Sequence, residues 1–295
     1  MASSKKTVAV LALILAAMLW GSSFFMIQET MTHDIWFMVG IRLLIGALGI
    51  LVISRGRCLK VDKKYIPLFL LIGFWISVTF FPQALGLRGT SVANSAVITA
   101  LFVVLTPALL FILKKGKPTN FQWVGSLIGI LAFFLLGLSQ GFSTLNWYDA
   151  LTFVTALAVA FHTVYFTEAL KHPKNLYPVC FFQFVVGGTL LLIVHFLLAA
   201  TSHETVFFPT LTTNEWLGIF YLGFFTTSLP YALQGFAQLS VGPVQALLVI
   251  SSEPLWAIAE ASLIRGDPIS GAALFSSGLL IIANVVAELK GKNPA

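Results

Sequence analysis

Charge is what this sequence has least of. Charged residues make up 9% of its 295 positions and hydrophobic residues 58%, whereas a soluble domain carries about 25% charged residues. That deficit excludes a soluble globular protein and leaves a polytopic helical membrane protein. Long polar stretches are missing too: the connections between apolar runs are short, and no soluble domain is inserted. Only two cysteines occur, Cys58 and Cys180, far apart and without CxxC or metal-ligand spacing. They read as unpaired residues, and no metal or other cofactor is expected. Enzyme signatures are scarce. There is no HExxH, no pair of carboxylates at short spacing and no phosphate-binding glycine loop. Gly137-Leu138-Ser139-Gln140-Gly141 matches GxSxG but falls between two spans, outside the strand–turn–helix setting that a serine hydrolase needs. A membrane-embedded enzyme is therefore a distant alternative. No ring of charges or carbonyl-filter sequence marks a channel. Lys5 and Lys6 precede an apolar run as in a secretory leader, but no small-x-small cleavage site occurs before Trp20, so the run is expected to be a retained first span.

What the sequence does have is apolar length. Ten runs are long enough to cross a hydrocarbon core of ~30 Å: Val8–Ile27, Ile35–Ile53, Tyr65–Leu85, Val92–Leu113, Phe121–Leu138, Trp147–Thr167, Tyr177–Leu198, Trp216–Phe236, Val241–Ile264 and Ile269–Ala287. With the N-terminus in the cytoplasm, 14 Lys and Arg residues fall in cytoplasmic segments and two, Arg88 and Arg265, fall outside, while Arg42 lies within the second span. By the positive-inside rule this split predicts a multi-pass protein of the cell inner (cytoplasmic) membrane with both termini cytoplasmic.

The chain also repeats itself. Ser91–Pro118 and Ser240–Pro268 both begin Ser-Val, carry a mid-span proline (Pro107, Pro254) and end Gly-x-Pro. Arg42 and Gly46 in span 2 have the same spacing as Gln183 and Gly187 in span 7. Gly86 to Ser91 matches Gly235 to Ser240. A repeat with an odd number of spans re-enters the membrane inverted. The expected fold is an all-α polytopic membrane protein of ten transmembrane helices, as two inverted five-helix repeats related by a pseudo-two-fold axis in the membrane plane. The first repeat occupies residues 1–140 and the second 141–295.

Trp20-Gly21-Ser22-Ser23-Phe24, Arg42, Thr90-Ser91-x-x-Asn94 with Pro107 beyond it, and Glu253-Pro254 with Gly266-Asp267-Pro268 together make the whole chain resemble the drug/metabolite transporter superfamily in its EamA-like branch. Asp267 departs from the glutamate more usual there, and the run from Pro107 to Gly116 is short. The resemblance implies a central cavity lined mainly by spans 1, 3, 4, 6, 8 and 9, and alternating access.

Helical spacing picks out the polar faces. Thr227, Tyr231, Gln234 and Gln238 form one stripe in span 8. Ser91, Ser95, Thr99 and Thr106, with Phe102, form another in span 4. Thr152, Thr155 and His162 share a face of span 6. Gln245 and Ser252 do so in span 9, Ser77 and Gln83 lie in span 3, and Trp20 and Ser23 in span 1. Such groups either line a solute pathway or hold helices together. His162 is a proton acceptor or substrate contact, or a packed histidine bonded to a neighbouring helix. His195 is expected at the interface. Arg42 either snorkels outward or pairs with an acid. Glu260 stands one heptad beyond Glu253. Glu253 itself is the sharpest candidate, since a mid-membrane carboxylate costs ~2.5 kcal/mol or more to insert. It either binds a cation or couples transport to protons, or it is a neutral carboxyl hydrogen-bonded to Ser251 or to a carbonyl freed by Pro254. Gly125, Gly129, Gly271 and Gly278 read as packing glycines of peripheral helices, or as part of a dimer contact.

The expected substrate-binding set is Trp20, Ser23, Gln83, Asn94, Thr99, Phe102, His162, Tyr165, Thr227, Tyr231, Gln234, Gln245, Ser252 and Glu253. No basic residue sits in the stripes, which argues against phosphorylated cargo. Aromatics plus one carboxylate suit a flat or cationic ligand. The expected function is secondary transport of an amino acid or amino-acid-derived metabolite, cationic or zwitterionic. S-adenosylmethionine, a cargo attributed to some relatives, fits that chemistry. A multidrug or metabolite efflux carrier of broader specificity is the alternative. Expected partners are the small-molecule substrate, the lipid bilayer and protons as coupling ion, with no nucleic acid.

Overall fold

Inside a bilayer, backbone N–H and C=O groups must be satisfied within the chain, and helices do this segment by segment. The computed structural model describes residues 2–140, 146–202, 206–241, 246 and 249–288, and among these it contains helices and no strand. α1 is Ala2–Thr30, α2 Ile35–Ile53, α3 Ile66–Gly86, α4 Val92–Thr99, α5 Phe102–Ile112 and α6 Asn120–Gln140. They are followed by α7 Trp147–Leu170, α8 Leu176–Thr201, α9 Thr213–Gly223, α10 Leu229–Val241, α11 Glu253–Arg265 and α12 Gly271–Glu288. Among the described residues, seven segments are long and apolar enough to cross a membrane: Lys5–Thr30, Ile35–Ile53, Lys63–Gly86, Val92–Ile112, Trp147–Leu170, Leu176–Thr201 and Thr213–Val241. Asn120–Leu135 and Gly271–Ala283 are shorter apolar helices. The ninth expected run is described mainly through α11. Of the GxSxG match, Gly141 lies outside the described residues and the rest belongs to α6.

Helix starts are set by local hydrogen bonds. Asp34 caps α2, its side chain accepting from Phe37 N at 2.9 Å. Ser91 caps α4, while Asn146 with Asp149 and Thr212 with Glu215 form capping boxes at α7 and α9. Gly266 ends α11 in the left-handed region at φ 74°, where a side chain would be strained.

Three departures from regular helix shape the interior. Val92–Ile112 is broken at Ala100–Leu101, upstream of Pro107, which itself lies inside α5. Ahead of α11 the chain turns at Ser251–Ser252, so Pro254 occupies the first turn of a helix, where its missing N–H costs nothing, rather than interrupting a continuous one. Between α9 and α10, Phe224–Ser228 is π-helical. That wide turn shifts the phase of every residue after it.

α1 packs on α10 and α11, α3 on α7 and α8, α2 on α8 and α9, and α6 on α12. Phe24, Met38, Leu43, Phe69, Ile76 and Phe184 are buried together in the main core. The peripheral glycines divide. A Cβ on Gly129 would come within 2.1 Å of Val104, so Gly129 is a packing glycine. Gly271 and Gly278 face open space, so within the chain they do not pack as Gly129 does.

His195, near the end of α8, is 0% exposed, with Nδ1 3.1 Å from Asp34 Oδ2 and Nε2 3.1 Å from the Phe207 carbonyl. Phe207 and Phe208 fold back against Phe196. The histidine thus ties α8 to the start of α2.

Candidate functional site

A cavity of about 70 Å³ lies among α1, α2, α3, α7, α10, the α4–α5 break and the start of α11. α1 contributes Trp20 and Ser23, one turn apart. α3 contributes Thr79, Phe80 and Gln83. Thr99 and Phe102 flank the break between α4 and α5, which turns both inward. Val159, His162 and Thr163 come from α7, Tyr231 and Gln234 from α10, and Ile250 and Glu253 from the turn into α11. Arg42 of α2 completes the wall.

Tyr231 is the aromatic centre. Its ring lies 5.3 Å from Trp20, 5.6 Å from His162 and 5.3 Å from Phe184, each edge to face. His162 lines the cavity, and its Nε2 is 2.7 Å from Gln183 Oε1 on the neighbouring α8. Glu253 is half-buried at the N-terminus of α11, where the helix dipole favours a negative charge. Among the described residues it makes no hydrogen bond and no ion pair. Thr99 Oγ1, also on the wall, has no partner among the described residues.

Arg42 corrects two expectations. It is 1% exposed, so it does not snorkel outward, and among the described residues it pairs with no acid. Its Nε donates to Thr227 Oγ1 and its Nη2 to Thr226 Oγ1, both at 3.1 Å, and the guanidinium lies 4.4 Å from the centre of the Phe80 ring. The physical reason is the π turn, which presents two successive threonines to α2. A basic residue does therefore face the cavity, and anionic groups in the cargo are no longer disfavoured.

Nine of the expected site residues line this cavity: Trp20, Ser23, Gln83, Thr99, Phe102, His162, Tyr231, Gln234 and Glu253. Four described ones stand elsewhere. Thr227 is turned to Arg42 by the π turn. Asn94 sits in the first turn of α4, over the Ser91 cap. Ser252 donates to Val249 O at 2.7 Å and accepts from Trp256 Nε1, so it shapes the turn. Tyr165 lies further along α7 with Lys115 Nζ 5.2 Å from its ring centre. Gln245 lies outside the described residues. Thr79, Phe80, Val159, Thr163 and Ile250 are cavity residues that sequence reasoning passed over. The first four are one turn or less from Gln83 or His162, so extending those faces by three or four positions finds them.

The two ends of the cavity differ in chemistry. At the end that carries Arg88 and Arg265, α1 is laced to its neighbours. Arg265 Nη1 donates to Gln28 Oε1 at 2.8 Å and pairs with Glu29 at 3.3 Å, and its Nη2 pairs with Asp267. Gln28 Nε2 in turn donates to the carbonyls of Leu87 and Thr90. Thr90 bonds Asp149, and Arg88 bonds the carbonyls of Met31 and His33. Toward the opposite end the neighbouring side chains are apolar: Leu13, Leu109, Val164, Ala237, Ala246 and Ile250 cluster with Phe102.

Among the described residues, no group of three or more His, Cys, Asp or Glu is placed to hold a metal ion. The site brings together one carboxylate that is unpaired among the described residues, one guanidinium, amide and hydroxyl groups, and an aromatic cluster.

Comparison with known proteins gives three findings. The family model for the EamA-like transporter family matches residues 7–138 and again residues 146–287. A protein of Archaeoglobus fulgidus named as an uncharacterized transporter is 25% identical over 294 residues, covering 97% of this chain and 87% of that protein. A solved crystal structure superposes with a TM-score of 0.68 at 16% identity, over 96% of this chain and 97% of the other. That last likeness is one of fold.

Proposed function

The chain belongs to the EamA-like transporter family and is a membrane transporter, and from that premise we propose that it carries a small amino-acid-derived metabolite, cationic or zwitterionic, by alternating access. One observation carries the reading. Glu253 offers an unpaired carboxylate to a cavity walled by Trp20, Phe102 and Tyr231. An ammonium or sulfonium is held by such a site through charge and through attraction to the aromatic faces. S-adenosylmethionine remains within the class. Residues 1–140 and 141–295 act as two inverted five-helix repeats, ten spans in all, with both termini cytoplasmic and the protein in the cell inner membrane.

The helix packing supports this symmetry. Exchanging α1, α2, α3, α4–α5 and α6 for α7, α8, α9–α10, α11 and α12 turns the α1–α10 contact into α7–α3 and α1–α11 into α7–α4 and α7–α5. The α2–α8 and α6–α12 contacts map onto themselves. Each half thus contributes matching walls to the cavity, as rocking of one half against the other requires. Glu253 is also the group through which protons would couple to cargo, binding one or the other.

Thermal stabilisation of the purified protein tests the reading. The panel comprises amino acids, S-adenosylmethionine, quaternary amines and nucleotides, since a ligand of the folded state raises the melting temperature by mass action. The expected hits are cationic or zwitterionic and are weakened by Glu253→Gln. Hits confined to phosphorylated or purely anionic compounds would refute it.

A further inference from the structure

We propose that Arg42 forms a carboxylate-binding pole of the cavity, so that the cargo carries both an anionic carboxylate and a cationic amine, the first held by Arg42 and the second by Glu253. The inference rests on reading the cavity as the substrate site, and it narrows that reading from cations and zwitterions to zwitterions.

Arg42 is almost wholly buried, and its charge is not neutralised. Two of its nitrogens are engaged, by hydroxyls, while Nη1 has no hydrogen-bond partner among the described residues. No carboxylate stands within ion-pair distance of it among those residues. A cation taken out of water without a counter-charge is costly, and neutral hydroxyls and a ring face offset part of that cost. The side chain is nevertheless firmly placed. Thr226 and Thr227 donate their own hydroxyl protons to the Leu222 carbonyl, at 2.9 and 2.8 Å, which leaves their lone pairs for the guanidinium. The π turn exists where these two hydroxyls are needed together. A buried, pre-positioned guanidinium that lines a cavity, with one N–H group unpartnered among the described residues, is an anion site in waiting. Guanidinium and carboxylate match in charge and planar geometry.

Glu253 supplies the opposite charge on the same wall system, and it too is unpaired among the described residues. The two groups leave a cavity with two separated poles. A simple amine satisfies Glu253 and adds a second cation near Arg42. A simple acid does the converse. A zwitterion satisfies both. Arg42 is seven residues from the Arg88–Arg265 end of α2, and Glu253 is twelve residues from the same end of α11. At 1.5 Å per residue the carboxylate pole lies roughly 8 Å nearer that end.

The test uses the purified full-length protein and matched triplets that share a side chain: phenylalanine, phenethylamine and phenylpropionate; leucine, isoamylamine and isocaproate; lysine, cadaverine and aminocaproate. Each is titrated while the melting temperature is followed. The expected result is that, in at least one triplet, the amino acid binds about tenfold or more tighter than its amine, the gain of one charge-assisted contact. Arg42→Gln should reduce the amino acid to the level of the amine and leave the amine's binding within about twofold, a selective loss that a merely structural arginine would not produce. If in every triplet the amine binds wild type as tightly as its amino acid, the inference is overturned and the cationic reading stands. Binding of none of these compounds overturns the inference, and an S-adenosylmethionine or quaternary-amine hit in the wider panel would then still support the carrier reading. If Arg42→Gln does not fold, the wild-type comparison within triplets decides alone.

Discussion

Gly21 is where a single methyl group should do the most damage. It faces α11 on α1, and a Cβ there would stand 2.8 Å from Ala257 N, 2.8 Å from Trp256 Cβ and 3.1 Å from Trp256 C. Two of those atoms are backbone, so no side-chain rotation relieves the clash. Ordinary contact requires α1 and α11 to part by on the order of 1 Å. Overpacking of this kind costs ~1–3 kcal/mol, against a gain of at most ~1 kcal/mol in helix propensity from Gly→Ala. At ~2–4 °C per kcal/mol, Gly21→Ala should melt lower by a few degrees. Function should fall further, because α1 carries Trp20 and Ser23 and α11 carries Glu253. A shift of ~1 Å between these helices misaligns both sides of the cavity. The assay is tryptophan-fluorescence melting in detergent, with ligand stabilisation measured in parallel. A variant that melts at or above wild type and binds normally would refute the claimed contact between α1 and α11.

Other expectations come from particular contacts. Gly278→Ala, where a Cβ meets nothing within 4 Å, should be neutral or raise the melting temperature slightly, and a loss of several degrees would count against the placement of α12. His195→Ala removes contacts to Asp34 and the Phe207 carbonyl and should cost ~1–3 kcal/mol, seen as a lower melting temperature and faster proteolysis near Phe207. Arg265→Gln loosens the ties among α1, α11 and Asp267; a cysteine placed at Ser23 should then react faster with a membrane-impermeant thiol reagent, and an unchanged rate would show that these ties do not close that end.

Much of this architecture is legible in the sequence because the bilayer simplifies the reading: apolar length sets the helices and basic residues sort the loops. Trp20, Ser23, Thr99 and Tyr231 can be picked because regular helical spacing carries them to one face. Legibility fails where the backbone departs from regular helix. The stripe through Thr227, Tyr231, Gln234 and Gln238 assumes a continuous α-helix, and the π turn at Phe224–Ser228 gives Thr227 to Arg42 instead. Pro254 looks like a mid-helix break because the turn at Ser251–Ser252 leaves no composition signal. Arg42 is easily misplaced because its partners are two threonines 184 and 185 positions away, and hydroxyl partners at that distance announce nothing in a sequence. The burial of His195 is not legible because it depends on a loop that folds back to bring the Phe207 carbonyl to it.

Carriage of a cationic or zwitterionic cargo that meets Glu253 is tested most directly by exchange in proteoliposomes. Purified wild type and Glu253→Gln would be reconstituted, loaded with the compound that stabilises the protein best, and given the same compound labelled outside. The expected result is saturable uptake accelerated by the internal compound in wild type, with a large loss in Glu253→Gln. Flux that does not saturate, or equal exchange in the two proteins, would contradict it.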